Sequence, residues 1–96
     1  MNIIHFEWDN KKNLENLKKH KVSFEEAKTV FFDENARLIA DPEHSIGEER
    51  FIILGISNKL KLLVVVHTYR KNEEIIRIIS SRKATKTEIK FYIMRN

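Results

Sequence analysis

Two neighbouring segments of the chain decide its fold: KLLVVVHTYR at residues 61–70 and EIIRIISS at residues 74–81. Both are rich in β-branched side chains, which favour strands. Only three polar residues, 71–73, stand between them, and a loop of this length is typical of a hairpin. We therefore predict an antiparallel hairpin in which Arg70 lies opposite Glu74.

The register of this hairpin decides which side chains share a face of the sheet, because opposite residues lie on one face. A three-residue loop places His67 opposite Arg77 and Tyr69 opposite Ile75. We therefore predict one face that becomes polar toward the loop and a second, almost wholly apolar face that packs against helices. The second face carries Leu62, Val64, Val66, Thr68, Ile76, Ile78 and Ser80. A slip of one residue would separate His67 from Arg77.

Further strands are predicted outside the hairpin. Residues 3–8 alternate loosely and indicate an edge strand, residues 36–40 a short strand, and residues 50–57, apolar on both faces, a central strand. A basic terminal helix begins at Thr85 or Thr87. The prediction is an α+β fold, with an antiparallel sheet of about four strands packed against two N-terminal helices and one C-terminal helix.

Capping signals mark the two N-terminal helices. Asp9 can cap a helix that packs inward through Leu14 and Leu17. Ser23 and Glu26 have the spacing of a capping box, in which the Ser23 hydroxyl accepts from the Glu26 amide and the Glu26 carboxylate reaches back.

Composition limits the class of protein. The chain has 96 residues, 42% of them hydrophobic, which predicts one globular domain over residues 1–96. It has no cysteine, which excludes a disulfide framework and thiolate chemistry. No apolar stretch approaches the ~20 residues that span a bilayer, and the N-terminus lacks the basic segment of a signal peptide. We therefore expect a cytoplasmic protein.

Charge is divided unevenly along the chain. Residues 1–58 carry 8 Lys or Arg against 11 Asp or Glu, whereas residues 59–96 carry 10 against 3. A basic C-terminal half indicates an anionic partner, which on charge alone can be a nucleic acid, an acidic protein or a membrane surface. A solvated surface without a partner explains the same charges equally well.

The basic half contains groups that could cleave RNA without a metal or cofactor. In that reaction the 2′-hydroxyl attacks the adjacent phosphorus and leaves a 2′,3′-cyclic phosphate. A base, an acid and fixed positive charge all assist it. The candidates are His67 as acid or base, Arg70, Arg77 and Arg82 as charge stabilisers, and Tyr69 as a stacking platform or weak acid. His44, with Glu49 nearby, is a second candidate acid–base group.

Arg77 has two competing interpretations. It stands among four isoleucines, where a charge costs desolvation unless a partner or ligand uses it. The structural interpretation is an ion pair with Glu48, Glu49 or Glu88. The functional interpretation is a phosphate clamp, because a guanidinium presents a planar fork of donors. Arg50, directly after two glutamates, is expected to form a structural ion pair.

The remaining histidines give weaker signals. The four histidines lack the close spacing of a metal site. Asp41 and His44 could share a metal, but an Asp-Pro turn is the ordinary explanation of that loop. His5 and His20 are expected at the surface or half-buried. No metal site is therefore predicted.

Ordered motifs run along nearly the whole chain. They are FEWD (6–9), NLKKH (16–20), VSFEEA (22–27), DPEHS (41–45), EER (48–50) and RIISSRKAT (77–85), followed by Glu88 and Tyr92. Together they resemble the BrnT family of toxins. One departure is Lys21, where the family usually has a glycine after its Lys-His pair.

The resemblance implies a fold, an activity and a partner. BrnT proteins have a RelE-like α+β fold and are ribonucleases that stop translation. They pair with BrnA, an antitoxin with a ribbon-helix-helix DNA-binding domain, in a heterotetramer that represses its own operon. The chain itself is then expected to reach operator DNA only through the antitoxin.

The resemblance also bears on the site residues. Basic residues of the family's last strands are linked to toxicity, and the matching positions here are Arg70, Arg77 and Arg82. It shifts Arg77 from a structural toward a functional interpretation. Lys83 and Lys86, close to Arg82, are expected to contact RNA. The alternative is a non-catalytic subunit that only binds nucleic acid or a partner.

Overall fold

The computed structural model describes residues 4–40 and 47–94. Its strands are β1 (His5–Glu7), β2 (Arg37–Ala40), β3 (Phe51–Ile56), β4 (Leu62–Arg70) and β5 (Ile75–Lys83). Its helices are α1 (Asn10–His20), α2 (Phe24–Thr29), which continues into a 3₁₀ turn at Val30–Phe32, and α3 (Lys86–Ile93). No helix within the described residues is long and apolar enough to cross a membrane.

The strands form one mixed sheet in the order β1-β5-β4-β3-β2. The predicted α+β class is confirmed, but the prediction of about four antiparallel strands is wrong. The described sheet has five strands, and β1 pairs parallel to β5. Because β1 is only three residues long, its pattern in the sequence carries no information about direction. Parallel pairing places Glu7 beside Arg77.

The register of the β4–β5 hairpin also differs from the prediction. Its loop has four residues, 71–74, so that Arg70 lies opposite Ile75, Thr68 opposite Arg77 and His67 opposite Ile78. The first three loop residues have φ between 48° and 69°, a left-handed conformation that residues with a Cβ adopt at some cost. A β-bulge between Val66 and His67 shifts the register once more.

The two faces of the sheet are covered differently. α1 and α2 pack on one face, which we call the α1–α2 face. The other, the α3 face, is covered at one end by α3, whose Tyr92 packs against Leu54 and Val64. The main core lies on the α1–α2 face. It comprises Val22, Phe24, Ala27, Val30, Ile53, Leu63, Val65 and Ile78.

The predicted difference between the two faces of β4 is therefore wrong, because helices cover both faces. Leu63, Val65 and His67, expected on the polar face, are all fully buried on the α1–α2 face. Val64 and Thr68, expected on the face that meets helices, lie on the α3 face, where Val64 packs against Tyr92. The alternation along β4 is as predicted, but both of its faces are apolar enough to be buried, so the pattern does not say which helices cover which face.

Helix α1 packs through amides rather than leucines. Leu14 and Leu17, predicted to point inward, are 58% and 43% exposed. The buried residue is Asn16, whose amide nitrogen donates to the Val22 and Ser81 carbonyls and whose oxygen accepts from the Ser81 amide. Asn16 therefore ties α1 to β5 by satisfying backbone groups of both segments.

The predicted caps are present, with one difference. Asp9 accepts from the amides of Lys11 and Lys12, and Ser23 Oγ accepts from the Glu26 amide. The Glu26 carboxylate does not reach back to Ser23, however. It is buried and accepts from Ser57 Oγ at 2.7 Å, which connects α2 to the end of β3.

Candidate nucleic-acid interface

Three arginines from the two longest strands lie on the α3 face. Arg77 is opposite Thr68, Arg82 is opposite Val64, and Arg70 follows Thr68 by two residues on β4. Their side chains are between 32% and 47% exposed, so each is accessible from solvent. The hairpin therefore presents a row of guanidinium groups along one face of the sheet.

Arg70 and Arg77 share a carboxylate. Arg77 Nη1 lies 2.9 Å from Glu7 Oε2, and Arg70 Nε lies 3.8 Å from the same oxygen. Arg70 Nη2 also approaches Glu48 Oε1 at 3.4 Å. The predicted partners of Arg77 were thus wrong, because Glu7 reaches it through the parallel β1–β5 pairing. Exposed pairs of this kind contribute only about 0–1 kcal/mol, so an incoming phosphate can compete with them.

Arg82 is held by the start of α3. Its Nη1 and Nη2 donate to the two oxygens of Glu88 at 2.8 and 2.9 Å. The same carboxylate accepts from the Thr85 amide, and Thr85 Oγ1 accepts from the Glu88 amide, which completes a capping box. The hydrogen bond from Arg82 lowers the pKa of Glu88 to about 2. Arg82 is therefore oriented by a bidentate pair.

Beside Arg82 the α3 face contains a groove of about 300 Å³. Arg50, at the entrance to β3, and His20, at the end of α1, line it together with Arg82 and Ser80. Its remaining lining residues are Ile52, Val64, Val66, Ile79 and Ser81. The groove thus places an imidazole and two guanidiniums around a partly apolar recess, a combination that suits a phosphate attached to a ribose.

Sequence reasoning missed the convergence of these groups. His20, Arg50 and Arg82 come from three distant elements, and no local spacing links them. The only signal in the sequence was that each of these three residues lies within a motif that resembles the BrnT family. Arg50 was expected to be structural, and it does interact with other residues.

His67 does not lie in this groove. It is fully buried on the α1–α2 face, with ring centroids of Phe31, Phe51 and Tyr69 within 6.2 Å. Its Nδ1 is 3.2 Å from the Val65 carbonyl and its Nε2 is 3.2 Å from Tyr69 Oη. Burial lowers the pKa of His67 to about 4, which favours the neutral ring. The predicted meeting of His67 with Arg77 is therefore wrong.

Tyr69 shares that face with His67. It is half-buried, and burial raises the pKa of its phenol. Tyr69 lines an apolar recess with Phe6, Phe32 and Ile76, and it also borders a second recess with Thr68 and Arg70. A stacking role for Tyr69 beside Arg70 stays a prediction.

The remaining candidates that the structure describes lie outside the groove. Lys83 and Lys86 are exposed at the end of β5 and the start of α3, on either side of the turn that follows Arg82. Glu49 is exposed directly before Arg50. His44 and Asp41 lie outside the described residues. Within residues 4–40 and 47–94, no three His, Cys, Asp or Glu side chains are grouped closely enough to hold a metal ion.

The fold and this face define a small α+β protein whose mixed sheet carries a cationic groove suited to an anionic polymer. A family model described as "Ribonuclease toxin, BrnT, of type II toxin-antitoxin system" matches residues 8–88. The chain therefore belongs to the BrnT family of toxins.

A solved structure supports the same fold. The chain is similar to the ribonuclease toxin BrnT of Brucella abortus, with a TM-score of 0.67 and 21% sequence identity. The match covers 86% of this chain and 99% of the Brucella chain. At this identity the likeness concerns the fold alone. No curated relative matches the chain.

Proposed function

We propose that this chain is an endoribonuclease toxin that cleaves RNA on its α3 face by attack of the 2′-hydroxyl on the adjacent phosphorus, without a metal. The observation that carries the proposal is the row of accessible arginines leading to the groove at Arg82. Fixed guanidiniums stabilise the charge that develops on the phosphorane oxygens, and this stabilisation is commonly the largest part of catalysis.

The arginines have different parts in this proposal. Arg82 and Arg50 face the groove and stabilise the reacting phosphate. Arg77 and Arg70 hold the neighbouring phosphates in place of Glu7 and Glu48. Lys83 and Lys86 attract the RNA backbone through charge, and their contribution falls as salt rises. Glu49 is our candidate base. His67 is not included, because its ring is buried on the other face.

The family implies an antitoxin partner, since it belongs to type II toxin–antitoxin systems. We propose that this partner is a BrnA-like protein with a ribbon-helix-helix domain, that the two form a heterotetramer, and that only the antitoxin contacts operator DNA. The chain freed from the antitoxin would then act on RNA in the cytoplasm.

A direct assay tests the proposal. The purified chain, freed of partner, is expected to cut single-stranded RNA in EDTA and to leave 2′,3′-cyclic phosphate ends, which can be identified by mass spectrometry. Cleavage that requires a divalent metal would contradict this mechanism.

Substitution of Arg77 extends the assay into cells. Arg77→Ala is expected to relieve growth arrest while its circular dichroism spectrum stays that of the unchanged protein. If Arg77→Ala unfolds the chain, its pair with Glu7 is structural and Arg77 has no place in the site.

A second function is favoured by the ion pairs themselves. Each arginine of the row contacts a carboxylate that an RNA phosphate can displace, and a surface of this kind can bind RNA without cutting it. In that case the chain binds RNA with a steep dependence on salt but leaves it intact in the same assay.

A further inference from the structure

We propose that His20 is the residue that donates the proton to the leaving 5′-oxygen during RNA cleavage. This inference rests on the proposed nuclease function and adds the acid that it lacks. It is carried by one juxtaposition: the His20 imidazole lines the same groove as Arg50 and Arg82, although the three residues belong to α1, to the start of β3 and to β5.

Burial separates His20 from the other candidate acid in the described chain. His67 is fully buried among aromatic rings on the opposite face, whereas His20 is half-buried at the last residue of α1. A proton donor must reach the reacting atom directly or through one water, so it has to lie beside the bound phosphate. Of these two histidines, only His20 lies beside the groove.

The backbone holds His20 at the groove. α1 ends there because Lys21 adopts the left-handed conformation, φ 62° and ψ 27°, and its amide donates to the Leu17 carbonyl at 2.9 Å. Asn16, four residues before His20, is bonded to both backbone groups of Ser81, the residue that precedes Arg82. The imidazole and the guanidinium are therefore positioned through a shared, buried connection between α1 and β5.

The chemistry of the step is balanced. The 2′-oxygen forms a bond to phosphorus, and its proton passes to water or to a carboxylate. The bond between phosphorus and the 5′-oxygen breaks, and the imidazolium of His20 transfers its proton to that oxygen. The products are a 2′,3′-cyclic phosphate and a 5′-hydroxyl, and His20 is protonated again from solvent. Arg50 and Arg82 stabilise the phosphorane oxygens throughout.

The test is a comparison of His20→Ala with the unchanged chain on one RNA of defined sequence. We expect the single-turnover rate to fall about 100-fold, which is typical for loss of a general acid. The dissociation constant for uncut RNA should change less than threefold. Lys19→Ala is the matched control, because it removes an exposed cation next to His20 that does not line the groove. It should keep its rate.

A modified substrate identifies the role of His20. When sulfur replaces the 5′-bridging oxygen at the cut site, the leaving thiolate needs no proton. The rates of His20→Ala and the unchanged chain should then approach each other. A loss of the same size on both substrates would show that His20 does not act as the acid, and equal loss of rate and RNA affinity would show that it only binds.

Other outcomes distinguish a failure of the His20 inference from a failure of the proposed nuclease function. If the unchanged chain leaves both RNAs intact, the nuclease function fails and His20 has no reaction to serve. If the unchanged chain cuts RNA and His20→Ala cuts within threefold of it, the inference alone is overturned. His20→Asn, which keeps a polar side chain at the helix end, serves in place of His20→Ala if circular dichroism shows that the alanine variant is unfolded.

Discussion

Burial separates His67 and Arg77, two residues that look alike in the sequence. Each is a polar residue in an otherwise apolar strand, yet His67 is enclosed by aromatic rings and Arg77 reaches solvent beside Glu7. The sequence shows the alternation within each strand but not the register between them. A left-handed loop and a bulge set the register. Neither contains a glycine, the residue that would have indicated such a backbone conformation in the sequence.

The buried histidine makes stability depend on pH. The pKa of His67 is about 4 in the folded protein, against an ordinary value of 6.5. The stability that comes from burying the neutral imidazole is therefore fully present above pH 6.5. This stability is lost as pH falls to about 4, and the free energy of unfolding decreases by roughly 3 kcal/mol in total. In His67→Phe this dependence should disappear from urea unfolding measured between pH 7 and pH 4.

The same variant also tests the part of His67 in catalysis. Phenylalanine fills a similar volume among Phe31, Phe51 and Tyr69, so His67→Phe is expected to fold at pH 7. Its rate of RNA cleavage should stay within threefold of the unchanged chain. A loss of about 100-fold in a folded variant would return His67 to the list of catalytic candidates.

Arg77 illustrates how far a partner can lie along the chain. Glu7 is 70 residues away and reaches it only through the parallel pairing of β1 with β5. The desolvation argument correctly required a partner for an arginine among isoleucines. It could not identify that partner, because the direction of a three-residue strand cannot be deduced from its pattern.

At the scale of elements, local signals predicted helix starts well. Asp9 and Ser23 accept the expected amide hydrogen bonds, because capping depends on residues only two or three positions apart. Of the two predicted starts of the terminal helix, Thr85 is the one that caps α3. The inward face of α1 was predicted wrongly. Its buried contact is an asparagine bonded to distant backbone, which a count of leucines does not detect.

The ion pair between Arg82 and Glu88 stabilises the start of α3 and also positions Arg82 at the groove. The pKa of Glu88 is lowered to about 2, so its stabilising effect is present above the ordinary value of 4.5 and is lost as pH falls toward 2. Glu88→Gln keeps a capping side chain and removes the charge. We expect it to lower the free energy of unfolding by about 0.5–1 kcal/mol at pH 7.

Thermal unfolding at several pH values checks this expectation. The difference between Glu88→Gln and the unchanged chain should be constant above pH 5 and should shrink between pH 4.5 and pH 2. A difference that persists at pH 2 would mean that Glu88 stabilises α3 by packing rather than by its charge.

At the scale of the whole molecule, the uneven charge was an incomplete guide to the site. The basic C-terminal half supplies Arg70, Arg77 and Arg82, as its composition suggested. His20 and Arg50 come from the acidic half and reach the groove only because α1 packs on β5 and β3 pairs with β4. Composition therefore left an anionic partner and a solvated surface as equal interpretations. The motif spacing indicated the family, but the groove exists only in the folded chain.

The central claim is that Arg82 stabilises the reacting phosphate of the RNA and that Glu88 only orients Arg82. One measurement tests this claim most directly. Arg82→Ala and Glu88→Gln both break the same ion pair, so both should lose a similar, small amount of stability. Single-turnover cleavage of one RNA should fall about 100-fold or more in Arg82→Ala and stay within threefold in Glu88→Gln. Equal losses of rate in the two variants would contradict the account, because they would show that the pair is purely structural.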